Sequence, residues 1–423
     1  MARRAPSGRE GRPVRRTTGD PYGLAAARPF VAPILSVGGL VIVGLLTLAL
    51  LTGNLPFLAA RNTNPGGADN PGFGGPVVPG RTPSASAPPV VNPEVGIDGK
   101  LVYAKAGNLW IHEGTESRRL TDSGRDTQPA WSADGTWVYF LETRQTTGRF
   151  AVAGTERRYD IRYPLLTRIR PDGTDRETLL SGLYQSGPSN RYTWFFFMRD
   201  PAVSPDGKRL ALVSDGPDPT GSNVVVQTFD VARRVLAKVG LPEQAPLGHQ
   251  NPTWSPDGKY ILYVKNGRQA DRGLPTLWRY EVATKKNVAL TGPGYTHPSY
   301  SADGRRIVAT KTTSLGTDIV VLDARSANEL LRVTSDGQSW GGAWSPDGTQ
   351  IAFLRLAGVT VDLNVATLGS ATGGGLAVKE TKPLTEFSGL DAESRPAWWG
   401  PRSTPAPTAA PSAAPSGSPT AAP

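Results

Sequence analysis

The sequence predicts an all-β fold: a six-bladed β-propeller of four-stranded blades, preceded by a single transmembrane helix. Three observations predict it. A five-residue turn sequence recurs five times between residues 131 and 348. An alternating, half-apolar strand follows every copy. Near the N-terminus, one uncharged apolar run is long enough to cross a bilayer.

The five turns are Trp131-Ser132-Ala133-Asp134-Gly135, Val203-Ser204-Pro205-Asp206-Gly207, Trp254-Ser255-Pro256-Asp257-Gly258, Tyr300-Ser301-Ala302-Asp303-Gly304 and Trp344-Ser345-Pro346-Asp347-Gly348. Serine, proline or alanine, aspartate and glycine in that order suit a type I turn. Proline pre-sets φ, aspartate bonds local backbone and glycine takes the left-handed position. The strands after the turns span 136–142, 208–214, 259–265, 305–311 and 349–355, and a reduced copy, Asp98-Gly99, precedes one at 101–105. Each turn is expected to join a short strand to this longer, half-buried one. The aspartates, counted from Asp98, lie 36, 72, 51, 46 and 44 residues apart. Further strand-like runs fill each interval, and four short strands per unit at this spacing point to propeller blades.

The first blade supplies only three strands, from residues 100–122. Its missing inner strand is expected from 395–399 (RPAWW), a pairing that closes the ring and hides two sheet edges. The 72-residue interval marks an insertion in the second blade between 142 and 200. It ends at 191–200 (RYTWFFFMRD), the densest aromatic run in the chain. This run reads as an extended inner strand packed between blades. Tyr192, Trp194 and Phe196 within it are also candidates for an aromatic platform that meets a partner.

The formal net charge is +10, yet residues 1–28 hold seven arginines against Glu10 and Asp20. Half of the basic excess thus sits in a short tail, and no nucleic-acid partner is expected. Residues 29–60 carry no charge, and their apolar centre, 31–52, would span roughly 33 Å as a helix. The arginines ahead of it predict a cytoplasmic N-terminus and an extracytoplasmic remainder at a bacterial cell membrane. Residues 61–96 form a Pro/Gly/Ser-rich linker, 97–400 the propeller, and 401–423 a Pro/Ala/Ser-rich tail expected to be disordered. The chain has no cysteine, which excludes disulfides, thiolate metal sites and a lipidated cysteine tether. It has three histidines, His112, His249 and His297.

Repeats such as Pro252-Thr253-Trp254-Ser255-Pro256-Asp257-Gly258-Lys259, continued by Ile261, Tyr263 and Val264, resemble those of TolB-type propeller proteins of the cell envelope. Similar repeats cap prolyl-oligopeptidase-like peptidases. The resemblance covers nearly all of 98–400 and implies a TolB-like six-bladed propeller. It stops short of the small α/β domain that precedes the propeller in TolB proteins. A helix and a linker occupy that place here, so the partners of TolB do not carry over. His249 and His297 beside an amide also resemble part of the channel metal site of oligogalacturonate-lyase-like propellers, which uses three histidines and a glutamine. His112 falls in a strand of the first blade, not at an equivalent position.

Two sets of residues invite a functional reading. Gly337-Gln338-Ser339-Trp340-Gly341 matches the G-x-S-x-G pattern of a hydrolase nucleophile elbow. An elbow needs a helix after the serine and a histidine later in the chain. Here another strand follows, and no histidine lies beyond His297. Ser339 is therefore read as part of a connection between blades. Loops entering the inner strands surround one mouth of a propeller channel. Across the repeats, that mouth is expected to present Gln128, Asp200, His249, Gln250, Asn251, His297 and Trp340. No catalytic residue, metal or cofactor is expected. The expected function is a membrane-anchored, non-enzymatic scaffold that binds a protein or cell-envelope polymer. The competing class is an exported enzyme, a metal-assisted polysaccharide lyase or a hydrolase, working in the channel.

Overall fold

The computed structural model describes residues 87–401 apart from 153, 188–190, 220–222, 242–247 and 268–273. The basic tail, the apolar stretch 29–60, most of the linker and residues 402–423 lie outside the described residues. Among the described residues, no helix is long and apolar enough to cross a membrane.

Each repeat turn does in space what its sequence requires. In all five copies the glycine N–H donates to the serine carbonyl, for example Gly258 N to Ser255 O at 2.9 Å, and the glycine sits at φ between 68° and 73°. The serine hydroxyl donates to the aspartate, as from Ser255 Oγ to Asp257 Oδ1 at 2.6 Å, and accepts from the backbone five residues on, Tyr260 N at 2.9 Å. The aspartate also accepts from Lys259 N at 3.1 Å. The repeated Ser–Asp pairs are thus engaged in holding the hairpin. Removing the Ser255 hydroxyl leaves the buried end of this network without its acceptor. Ser255→Ala is expected to cost about 1–2 kcal/mol of stability, read by equilibrium urea denaturation.

Six four-stranded antiparallel sheets result. Blades 2 to 6 begin with inner strands Asp126–Trp131, Met198–Val203, His249–Trp254, Tyr295–Tyr300 and Ser339–Trp344. In blade 1 the inner strand is Ala397–Trp399, paired antiparallel with Ile97–Lys105 through Leu101↔Trp398 and its neighbours, as the sequence predicts. The second strand of each blade is buried on both faces, and its alternation feeds two cores. Leu101 and Tyr103 pack toward blade 6, whereas Val102 and Ala104 pack toward blade 2. Six such interblade clusters make up the core.

The closing strand is fixed by its tryptophans. Trp399 lies against Trp131 with ring centroids 5.7 Å apart and donates from Nε1 to Ala133 O at 3.1 Å. Trp398 donates to Asp98 O at 2.8 Å. Trp399→Ala is expected to lose about 2–3 kcal/mol, somewhat less than a fully buried tryptophan because Trp399 is only half-buried. Denaturant midpoints measure it, and a loss below about 0.5 kcal/mol, the scale of an ordinary surface substitution, would show that closure does not depend on this ring.

The insertion differs from the extended inner strand that the sequence suggests. Only Met198–Val203 forms the inner strand of blade 3. The second and third strands of blade 2, Val138–Val152 and Thr155–Ile169, pair along fifteen residues each and run far past the blade. A separate hairpin, Leu183–Ser186 with Tyr192–Phe195, packs beside this arm. Within the run, Phe196 and Phe197 lie between the two strands: Phe196 N still donates to Gly182 O at the end of the hairpin, and the Phe196 ring is buried between blades 2 and 3. Aromatic residues in sequence thus serve two different packing sites, which a single strand could not reach.

Candidate functional site

Four of the seven predicted mouth residues come together in a belt. Gln128, Asp200, Asn251 and His297 all have positive φ, 55°, 53°, 45° and 49°, and each is followed by proline. At each, the inner strand skips register against the second strand, as between Gln250 and Thr253 in blade 4. Proline lacks the N–H that a ladder needs, so a bulge is where an inner strand accommodates it. The left-handed turn frees the backbone N–H to point around the ring. Gln128 N donates to Ser394 Oγ (2.8 Å), Asp200 N to Gln128 Oε1 (2.8 Å), Asn251 N to Asp200 Oδ2 (3.0 Å) and His297 N to Asn251 Oδ1 (3.4 Å). Each blade's side chain accepts from the next blade's backbone. In blade 6 the position is Gly341, φ 69°, whose N–H turns to Thr310 Oγ1 at 3.0 Å.

The other three predicted residues are elsewhere. His249 is buried between blades 3 and 4, accepting from Val226 N at 3.1 Å and lying against the Tyr263 ring. Gln250 donates to Asn266 Oδ1 at 2.8 Å within its own blade. Trp340 is buried in the core between blades 6 and 1, with Nε1 donating to Ala392 O. Of the candidate aromatic platform, Tyr192 and Trp194 are half-buried beside the arm, and Phe196 is core. Ser339 opens a strand, is fully buried, and lies 3.4 Å from Asp336 Oδ1. Among the described residues no group of three or more His, Asp and Glu is placed to hold a metal ion.

Sequence reasoning missed Arg395. The pairs Gln128-Pro129, Asp200-Pro201, Asn251-Pro252 and His297-Pro298 lie at the starts of inner strands, and Arg395-Pro396 at the entrance to blade 1 is the fifth such pair. That alignment was the available signal. From blade 1, Arg395 crosses the ring and donates to Pro298 O (3.1 Å) and Pro252 O (3.3 Å) of blades 5 and 4. Among the described residues, two of its five donors are engaged. Burial lowers its pKa from the ordinary guanidinium value, with Asp200 opposing.

Arg395 forms the floor of a cavity of 260 Å³. This cavity opens on the face opposite the predicted mouth, among the repeat turns. Its walls are the ends of the inner strands, Trp131, Trp254, Tyr300 and Trp344, and its rim is the residue after each turn serine, Pro205, Pro256 and Pro346 with Ala133 and Ala302. Arg395 is the one charged residue among those that line it. The belt side of the channel is laced by hydrogen bonds, and the turn side is a funnel walled by proline, aromatic, small and hydroxyl residues over a cationic floor.

No family model matches the chain. TolB from Acinetobacter baumannii has the same arrangement, with a TM-score of 0.50 at 18% identity over 71% of this chain and 66% of that one. The chain is a TolB-like six-bladed β-propeller. A putative TolB from Agrobacterium tumefaciens aligns over 71% of the propeller chain and 94% of its own, at 16% identity and a TM-score of 0.45. In sequence, an uncharacterized protein of Agrobacterium fabrum is 28% identical over 159 residues, 37% of this chain and 45% of that protein. An uncharacterized peptidase of Bacillus subtilis, YuxL, is 28% identical over 155 residues, 36% of this chain and 21% of its own length. The match therefore spans less than half the length of either relative.

The TolB-like propeller holds two histidines neutral. Burial pushes His249 down to about 3, helped by Lys265. Burial also pushes His297 down to about 4, with Arg395 and Arg199 acting the same way and Asp200 against them. The unfolded chain binds protons at these imidazoles once the pH falls below 6.5, and the folded chain does not until near 4 and 3. Their stabilisation is therefore complete above pH 6.5 and lost progressively below it. Asp215, raised to about 6 by burial, acts with the opposite sign between its ordinary value of 3.8 and 6. His249→Asn keeps an acceptor for Val226 N and removes the titration. Relative to the parent, its stability is expected to fall less steeply from pH 6.5 to 3, measured by urea denaturation across that range.

Proposed function

We propose that the chain is a membrane-anchored, extracytoplasmic binding scaffold whose propeller receives a protein or cell-envelope polymer in the turn-face funnel. The observation that carries this reading is the funnel itself. It is a formed cavity, lined by proline, small residues and aromatic edges, with a guanidinium at its base of which two donors are engaged among the described residues. Concave, mostly apolar sites with a few convergent polar groups are the usual form of a binding site. The serines and aspartates that recur around it are held in the turn networks, which supports binding in preference to catalysis. The anchor rests on the uncharged run 29–60 and the arginines before it.

Site-specific photo-cross-linking in cells tests this. A photoreactive residue at Ala302, on the funnel rim, is expected to capture one discrete partner. The same residue at Val359, which is 96% exposed on the opposite face, is expected to capture none. Equal capture at both positions, or none at Ala302, would defeat the funnel as the binding site.

A further inference from the structure

The arm of blade 2 has two unlike faces. Beyond Glu142, residues directly opposite across the hairpin share a face, and exposure alternates with them. One face buries Gly148, Phe150 and Ile161 beneath the strand Tyr192–Phe195. Gly148 is required there, because a Cβ would lie 2.4 Å from Thr193 O. The Trp194 ring, 5.1 Å from Phe150 and 5.3 Å from Tyr159, braces the arm from this side. The opposite face exposes Gln145, Thr147, Arg149, Arg158, Asp160 and Arg162.

Arg149 and Arg158 on that face are direct cross-strand partners. Like charges so placed are destabilising. The arm's acids relieve this only in part. Glu156 is bound by Arg191 at 2.6 Å, and Asp160, which accepts from Thr147 Oγ1 at 3.3 Å, stands alone on this face against Arg149, Arg158 and Arg162. Arg149, Arg157, Arg158 and Arg162 form no ion pair among the described residues. None of residues 143–163 belongs to an interblade core. The fold therefore has no use for this charge, and it is presented outward on a stiff support.

Its position in the ring matters too. The arm tip joins the second and third strands of blade 2, so the arm projects from the face on which inner strands begin. The chain enters the propeller on that same face, where Val90–Val91 pairs with Thr385–Glu386 after the last strand of blade 6. The funnel opens on the other face. A tether upstream of Val90 therefore draws the arm's face, and not the funnel, toward its anchor.

We propose that the arginine face of this arm docks on anionic lipid headgroups of the membrane that anchors the chain, so that the funnel points away from the bilayer. The inference rests on the anchored reading above. Exposed arginines near an anionic surface attract it additively, over about one Debye length.

The chain contains no cysteine, so one introduced thiol labels one place. Gln145→Cys on the arginine face and Ala133→Cys on the funnel rim each carry an environment-sensitive fluorophore. The full chain is reconstituted into phosphatidylcholine vesicles with or without about one-third phosphatidylglycerol, and a headgroup-labelled quencher lipid is included. The arm label is expected to be quenched about threefold more in anionic than in neutral vesicles, an effect abolished by high salt. The double variant Arg149→Glu/Arg158→Glu, substituted at exposed positions, abolishes it as well. The rim label responds in neither. Equal quenching in both vesicle types, or quenching that survives the double variant, overturns the proposal. A label that ignores both vesicles but shifts on adding soluble polyglutamate assigns the face to an acidic macromolecule and also overturns it. Flotation with neutral vesicles reads the anchor separately: failure there defeats the anchored reading, whatever the arm does.

Discussion

The ring closes on three residues. Ala397–Trp399 pair with a strand whose sequence lies some 300 residues earlier, and the Trp398 indole bonds the carbonyl of Asp98 across that separation. Without this pairing, blade 1 presents the open edge of Ile97–Lys105 and lacks its wall of the channel. Closure also sets the site. Arg395 stands two residues before the closing strand, so docking that strand carries the guanidinium to the channel centre, where carbonyls of blades 4 and 5 receive it. One contact thus makes the ring, the funnel and the funnel's charge.

The two ends of the channel are built by different devices. On the entry side, residues in left-handed conformation before proline aim their N–H groups around the ring, and each side chain accepts from its neighbour. On the turn side, serine and aspartate are drawn back into their own hairpins, which leaves proline, alanine and the edges of aromatic rings around a cavity. Polar groups therefore link neighbouring blades at one end, and their local engagement leaves a cavity at the other. The arm of blade 2 stands apart from both, a peripheral addition whose buried face is aromatic and whose exposed face is basic.

Much of this was legible in the chain. The Ser-Pro-Asp-Gly turns announce their hairpins because every residue has a local job within six positions, and local jobs repeat visibly. The closing strand was legible because a blade short of one strand and a strand short of a blade stand at opposite ends. The site was less so. Grouping loop residues by their place before the inner strand brought in His249, Gln250 and Trp340, but the bulge turns only one residue per blade into the belt. Their neighbours go to the gaps between blades. Arg395 escaped notice because its repeat is split across the two ends of the propeller. The insertion misled in the same way: 191–200 is continuous in sequence, yet Tyr192–Phe195 braces the arm while Phe196, just past it, plugs the core between blades 2 and 3.

By itself, then, the sequence determined the blade count, the turn chemistry and the place of closure, because each follows from a local turn pattern and the way its copies are spaced along the chain. Tertiary structure alone decided that a cavity forms at the turn end of the channel and what lies at its floor. It also decided which face of the arm meets solvent. Those outcomes depend on where backbone donors point after a bulge and on which blades a long side chain can reach across the ring. They are set by the radius and twist of six packed sheets, a property that no single repeat encodes.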